Sequence, residues 1–241
     1  MNFKDNLLTI KDKILEMIFP SKIKCILCGK DIPSFDTPFC EECLNSNIFN
    51  NGNRCTVCDM QIKEGNIICD HCKEKKRTFI KCVCPLNYEN RVRQALLKFK
   101  SDNAKYLAEP FGKLIAERIN QEKLNFDIII PVPSHKKTIK RRGYNPAMLI
   151  AEQLGKITNK PIKEVLCKNV LTKNQKLLNY QQQQENLKDS IILTDVNAIK
   201  GKRILLVDDV VTTGATLEVC ASLLVGAKEI YACAVARNQI K

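Results

Sequence analysis

The 241-residue sequence contains no run of about 18 apolar residues, so no membrane-spanning helix is predicted. Its first residues lack the apolar stretch of a secretory signal, because Lys4, Asp5, Lys11, Asp12 and Lys13 stand in its place. A cytoplasmic protein is therefore expected. No glycine is followed by Lys-Ser or Lys-Thr, which excludes a Walker-type phosphate loop. Wholesale disorder is excluded as well: 44% of the residues are hydrophobic and 27% charged, proportions from which a core can be built. At roughly 150 residues per domain the length accommodates one to two domains, and two regions of different composition favour two.

Cysteine is what the chain has in excess. Of 13 cysteines, ten fall between Cys25 and Cys84. Eight of these form four C-x-x-C pairs: Cys25 and Cys28, Cys40 and Cys43, Cys55 and Cys58, Cys69 and Cys72. A C-x-x-C turn aims two sulfurs at one ion, and Zn²⁺ takes four thiolates tetrahedrally at about 2.3 Å. Four pairs thus predict two structural zinc sites with no open position for hydrolytic chemistry. Sequential pairing would give two zinc ribbons and interleaved pairing a cross-braced unit; the sequential arrangement is preferred. His71, inside Cys-Asp-His-Cys, is read as a solvated turn residue, and Cys82 and Cys84 as small core residues.

Charge separates the chain in two. Residues 1–80 carry 12 Lys+Arg against 11 Asp+Glu, and residues 81–241 carry 27 against 15, so +12 of the formal +13 lies in the second region. Each Zn(Cys)₄ centre has a formal charge of minus two, which makes the cysteine module mildly acidic. A polyanion is expected on the second region, although such a field does not distinguish nucleic acid from a phosphorylated small molecule.

Phe3, Leu7, Ile10, Ile14, Met17 and Ile18 recur at helical spacing up to Pro20, predicting an amphipathic helix over 1–20. The cysteine module is assigned to 21–77, ending at the charged run 73–77, and an α/β domain to 78–241. In the latter, strands are predicted at 79–88, 126–132, 161–166, 202–208 and 229–235, with helices at 90–99, 106–119, 146–154 and 216–225. Such alternation implies a parallel sheet with helices on both faces and a ligand beyond the C-terminal strand ends.

The sharpest motif runs Ile204-Leu-Leu-Val-Asp-Asp-Val-Val-Thr-Thr-Gly-Ala-Thr-Leu217. An apolar strand leads into two carboxylates, then a hydroxyl- and glycine-rich loop, then a helix. Loop amides and the hydroxyls of Thr212, Thr213 and Thr216 can cradle a phosphate, Gly214 permits close approach, and Asp208 and Asp209 can accept from paired ribose hydroxyls. This segment resembles the phosphoribosyl diphosphate (PRPP) motif of type I phosphoribosyltransferases. The resemblance implies that Asp208 and Asp209 hold the ribose and that Thr212, Thr213, Gly214, Ala215 and Thr216 hold the 5′-phosphate.

Pro131-Val-Pro-Ser-His-Lys-Lys-Thr-Ile-Lys-Arg-Arg-Gly-Tyr-Asn145 resembles the long pyrophosphate loop of the ComF, or competence protein, family. So do the Ile-Phe-Pro that precedes the first cysteine pair, the four pairs themselves, and Lys98-Phe-Lys-Ser-Asp102. Membership implies a zinc-ribbon head on a type I phosphoribosyltransferase-like domain, PRPP with Mg²⁺ as ligand, and a part in handling single-stranded DNA during natural transformation, with uptake-machinery proteins as partners. Ser134, Lys137, Lys140, Arg141, Arg142 and Gly143 are the implied pyrophosphate-loop residues. Residues 171–186 resemble the family's mobile flap, with Gln183 where an arginine is usual. Thr212 stands where purine-salvage relatives carry Asp, and residue 2 is Asn rather than a cysteine nucleophile, which disfavour purine salvage and glutamine-dependent amidotransfer. A free-standing transferase with an unidentified acceptor, or a scaffold with a vestigial pocket, is the alternative. The DNA surface is expected near Lys98, Lys100, Lys105 and 136–142, with Phe99 or Tyr144 for base stacking.

Overall fold

The computed structural model describes residues 23–32, 37–101, 104–168 and 190–239. The helix expected over 1–20 and the flap-like segment 171–186 lie outside them. The described residues belong to two units, Met1–Ser46 and Asn47–Lys241.

In the first unit, β1 (Ile23–Lys24) pairs antiparallel with β2 (Asp31–Ile32), and a one-turn helix, α1 (Glu41–Leu44), follows. The turn between the strands carries Cys25 and Cys28: the Cys25 amide donates to the Lys30 carbonyl and the Gly29 amide to the Cys25 carbonyl, both at 2.8 Å. Gly29 sits at φ 76°, where a glycine is unstrained.

The second unit begins with a copy of that turn. The Cys55 amide donates to the Met60 carbonyl at 2.8 Å, and the Asp59 amide to the Cys55 carbonyl at 3.0 Å. Here Asp59, at φ 61°, stands where the first turn has Gly29. A non-glycine residue in that region costs about 1 kcal/mol or more, and hydrogen bonds offset it. The Asp59 carboxylate accepts from the Cys84 amide at 2.7 Å, from Arg54 at 3.0 Å and from the Asn50 side chain at 3.2 Å. Those bonds dock the turn on the sheet, helped by a 2.7 Å bond from the Cys82 amide to the Val57 carbonyl.

After α2 (Asp70–Glu74) come β3 (Lys81–Val83), β4 (Leu86–Asn87), α3 (Asn90–Ser101), a 3₁₀ turn (Lys105–Leu107) and α4 (Ala108–Gln121). Then follow β5 (Ile128–Pro131), α5 (Lys136–Arg142), α6 (Pro146–Thr158), β6 (Leu166–Lys168), β7 (Ile191–Leu193), β8 (Arg203–Val211), α7 (Ala215–Leu223) and β9 (Glu229–Arg237). The main sheet has the order β3-β9-β8-β5, with β4 also on β9, and every pairing is parallel. Ile204, Leu205, Leu206 and Val207 are each fully buried, so β8 is covered on both faces. One face packs on α7 and the β6–β7 ribbon, through Leu217, Cys220, Leu224, Val165 and Ile191. Helices α4 and α6 pack on each other and on β5, β8 and β9.

The structure departs from the expected elements at three places. Strand β8 runs to Val211 instead of ending at Asp208, because β9 continues to pair with it as far as Arg237. The segment 161–166 is not a strand of the sheet: Ile162 makes a single parallel bridge to Ile129, and the ladder that follows, β6 with β7, is antiparallel. The segment 131–145, which resembles a long pyrophosphate loop, contains α5. His135 Nδ1 accepts from the Lys137 amide at its start, straight-chain lysines and arginines favour the helix, and Gly143 closes it at φ 86°.

Replacing Asp59 by Gly relieves the backbone but orphans the buried Cys84 amide and removes the carboxylate that Arg54 pairs with. Asp59→Gly is expected to destabilise the second unit by about 2 kcal/mol, since the missing buried hydrogen bonds outweigh the strain. Urea unfolding measures it; an unchanged or raised midpoint would show that the docking bonds contribute nothing.

Candidate ligand pocket and metal centres

Strand β5 stops at Pro131, opposite Val207 of β8. Asp208 and Asp209 are the next two residues of β8, so they emerge where the neighbouring strand has ended and its chain turns away through 132–135. That offset opens a cavity of about 500 Å³. Asp208, Asp209, Thr212 and Thr216 line it from β8 and the start of α7; Ser134, His135, Thr138, Arg142 and Asn145 line it from the β5–α6 connection. Lys100, Lys168 and Tyr88 complete the wall.

The β5–α6 connection is held from its far end. Asn145 caps α6 by accepting from the Ala147 amide at 3.2 Å, ahead of Pro146 at the first helical position. The same side-chain amide group donates to the Val132 carbonyl at 3.0 Å and accepts from Ser134 Oγ at 2.9 Å. Ser134 is thereby fixed at the cavity wall.

Acid and base meet in this cavity. Lys100 Nζ lies 2.6 Å from Asp209 Oδ1. Burial, and after it the charge of Asp209, pushes Asp208 up to about 7, against the pull of Lys100 and Lys168. Burial lowers Lys168 from the ordinary lysine value, with Asp208 acting in the opposite sense. Two adjacent carboxylates, two lysines, an arginine and several hydroxyls suit a ligand that carries both hydroxyls and negative charge.

Of the residues singled out from sequence, the fold gathers Asp208, Asp209, Thr212, Thr216, Ser134 and Arg142 around one space. Thr213 serves the loop itself: its Oγ1 accepts from the Ala215 amide at 3.2 Å, and its carbonyl accepts from Arg77 at 2.8 Å. Gly214 takes φ 77° at the head of α7, and Ala215 is buried. Lys137, Lys140 and Arg141 are exposed on α5, outside the lining, and Gly143 is the residue that ends that helix. The aromatic residues expected to stack bases are buried. Phe99 is 0% exposed and packs edge-on against Phe111, while Tyr144 is 6% exposed, bonds the Phe99 carbonyl and carries Lys105 over its ring. Lys100, expected on the DNA surface, belongs to the pocket. Lys168 was missed because a lone lysine ahead of a polar stretch has no distinguishing pattern.

The eight paired cysteines form two quartets, Cys25/Cys28/Cys40/Cys43 and Cys55/Cys58/Cys69/Cys72, whose sulfurs lie within 4.8 Å of one another. The pairing is therefore sequential. Sulfurs from different pairs stand 3.5 Å apart at Cys28 and Cys40 and 3.6 Å apart at Cys58 and Cys69, close to the roughly 3.8 Å edge of a zinc tetrathiolate. His71 lies half-buried in α2, outside the four-sulfur set. The second quartet has a fitting counter-charge. Arg237, 1% exposed, places Nη2 3.7 Å from Cys58 Sγ, and its buried Nε and Nη1 have no hydrogen-bond partner among the described residues. A buried guanidinium beside sulfur alone matches a centre of formal charge minus two.

Two outcomes follow from this geometry. Elemental analysis should find about two zinc ions per chain, and Cys55→Ser should lose one of them and lower the melting temperature of the second unit; full retention of both would contradict the assignment. Asp208 supplies a pH test. Its pKa is raised above the unfolded value of about 3.9, so the stability it contributes is present below about pH 4 and lost as pH rises towards 7. Asp208→Asn should remove that loss, gaining on the order of 1 to 2 kcal/mol relative to the parent between pH 5 and pH 8 in urea titrations, the full shift being reduced by water in the cavity. Parallel pH profiles for the two proteins would refute the assignment.

Comparison with known proteins agrees with this arrangement. The profile of the phosphoribosyl transferase domain matches residues 107–241. Competence protein F of Haemophilus influenzae is 30% identical over 223 residues, covering 88% of this chain and 90% of that protein. Competence protein ComFC of Bacillus subtilis is 25% identical over 218 residues, covering 70% and 88%. DNA utilization protein YhgH of Escherichia coli K12 is 25% identical over 177 residues, covering 70% and 77%. With a family profile over more than half of its length and a 30% identical relative aligned along most of it, the chain belongs to the competence protein F (ComF) family and carries that family's phosphoribosyl transferase domain.

Proposed function

We propose that the pocket binds PRPP with Mg²⁺, and that the basic surface beside it binds single-stranded DNA in the cytoplasm, during the handling of DNA taken up in natural transformation. The observation that carries the first part is the cavity itself: Asp208 and Asp209 share it with Thr212, Thr216, Ser134, Arg142, Lys100 and Lys168. A ribose donates hydroxyl protons to the carboxylates, the threonine hydroxyls donate to a phosphate, and Arg142 and Lys168 offset the charge of a diphosphate. Mg²⁺, when bound with the diphosphate, would neutralise charge that these cations do not. Lys100 must leave Asp209 for the ribose to be held, and its charge is then available to the ligand.

The DNA part is supported by the names of the relatives and by the outer surface. Lys98 and Lys105 are exposed, as are Lys136, Lys137, Lys140 and Arg141 of α5, a helix without an acidic residue. Tyr106, 70% exposed beside Lys105, is the aromatic side chain offered to a base in place of Phe99 and Tyr144. Two tetrathiolate centres require reduced thiols, which fits a cytoplasmic site of action. Partners in the uptake machinery belong to the same proposal.

PRPP with Mg²⁺ at about 100 times its dissociation constant should stabilise the protein by about 2.7 kcal/mol in thermal melts. Asp208→Asn combined with Asp209→Asn should abolish the shift and leave the fold intact; a double variant that keeps the shift would refute the ribose placement. For DNA, Tyr106→Ala should weaken oligonucleotide binding by about 1 to 3 kcal/mol. Lys98→Gln with Lys105→Gln should flatten the dependence of log K on log salt by roughly 0.7 for each phosphate that these lysines neutralise in the parent. Fluorescence anisotropy reads both, and affinities indifferent to all three changes would place DNA elsewhere.

A further inference from the structure

The segment that leaves the second cysteine quartet runs along the phosphate loop before it enters the sheet. Arg77, five residues after Cys72, is 8% exposed, unusual for an arginine. Its Nη2 donates to the Thr213 carbonyl at 2.8 Å. The guanidinium lies 3.6–3.7 Å from the point where a side chain on Gly214 would begin, and 5.9 Å above the centre of the Phe79 ring. It is also near enough to the Cys72 sulfur to favour its thiolate. The next residue, Thr78, donates from its amide and from Oγ1 to Glu218, at 3.1 Å and 2.6 Å. Glu218 stands in the first turn of α7. Two successive residues therefore grip the loop at both ends, one at Thr213 and one at the helix start.

The grip on Thr213 sets the direction of a ligand-facing group. The peptide joining Thr213 to Gly214 is planar and trans, so its C=O and N–H point in opposite directions. With the carbonyl held by Arg77, the Gly214 amide must point away from Arg77. If α2 moves by an ångström or so, the 2.8 Å bond breaks and that amide is free to turn. What holds α2, a helix of five residues, is the quartet: two of its four sulfurs, Cys69 and Cys72, lie at the cap and inside that helix. A metal ion joins them covalently to Cys55 and Cys58, whereas four thiols without one repel or merely touch.

The geometry points to Arg77 and Thr78 as a clasp that ties the Thr212–Thr216 loop to the Cys55/Cys58/Cys69/Cys72 centre, so that metal occupancy there sets the affinity of the pocket for a sugar phosphate. The inference rests on the phosphoribosyl reading of the pocket, and the clasp itself is testable without a ligand. Arg77 and Thr78 are positioning residues, since neither lines the cavity.

The test combines hydrogen exchange with titration of ribose 5-phosphate by calorimetry, on the full chain. Arg77→Gln should retain two zinc ions and leave exchange in 128–131 and 203–207 as in the parent. Exchange in 212–218 should accelerate about tenfold and ribose 5-phosphate affinity should fall about tenfold, the scale of one charge-assisted hydrogen bond. Arg77→Lys should recover part of both. Chelation of zinc from the parent should reproduce the loop exchange of Arg77→Gln. If Arg77→Gln does not fold, Glu218→Gln, which loosens only the Thr78 contact, should show the same acceleration to a smaller degree. Unchanged loop exchange in a zinc-replete variant, or after chelation with the sheet still protected, would overturn the clasp. Accelerated exchange in a protein whose parent binds no ribose 5-phosphate would uphold the clasp and overturn the phosphoribosyl reading.

Discussion

The register of β8 between its two neighbours is the constraint on which the pocket depends. Paired with β5 only as far as Val207 and with β9 as far as Val211, the strand carries its two carboxylates past one partner and along the other. The backbone beneath Asp208 and Asp209 stays fixed by β9, while the space beside them is opened by the departure of β5. The apolar run before them, buried on both faces, leaves the strand no freedom to slip. Thr212 and Thr216, and the lining residues from Ser134 to Asn145, reach this edge by short connections from β8 and β5, whereas Tyr88, Lys100 and Lys168 come from elsewhere in the chain.

Electrostatics links the parts of the second unit. In the pocket, β8 holds two carboxylates side by side with Lys100 paired to one of them, and burial together with the second carboxylate keeps the pKa of Asp208 raised. A ligand that brings hydroxyls to the carboxylates and phosphate to the lysines resolves both at once. At the second quartet the imbalance has the opposite sign, and buried Arg237 and Arg77 stand beside its sulfurs. The strand β9 that ends in Arg237 is the one that supports Asp208 and Asp209, so the metal centre and the ligand pocket share one structural member. The first quartet has the same turn with glycine at the strained position, whereas the second uses Asp59 there to reach the sheet.

The parallel sheet, the core face of α3 and the two cysteine quartets were legible because each rests on a strong local pattern: apolar runs, helical spacing at Val92, Ala95, Leu96 and Phe99, and four evenly placed C-x-x-C turns. The carboxylate pair and its threonine loop were legible for the same reason. What the sequence did not display depends on contacts between distant residues. Phe99 suggests a stacking residue by its basic neighbours, yet its spacing with Val92, Ala95 and Leu96 already places it on the buried face of its helix. Lys100 resembles one more surface lysine until the fold sets it against Asp209, 109 positions away. Arg77 sits in a charged run resembling a linker, and no local feature marks it as the residue that holds the Thr213 carbonyl. The helix inside 131–145 was hidden by the segment's resemblance to a long pyrophosphate loop, and its cap at His135 and its end at Gly143 show only in the folded backbone.

A crystal structure of the full chain with PRPP and Mg²⁺ would decide whether the carboxylate pair is the ribose site. Ribose hydroxyls are predicted within about 3 Å of Asp208 and Asp209, the 5′-phosphate among Thr212 to Thr216, and Lys100 withdrawn from Asp209. A ligand bound away from the carboxylate pair, or a bound ligand with the Lys100–Asp209 contact intact, would contradict this placement.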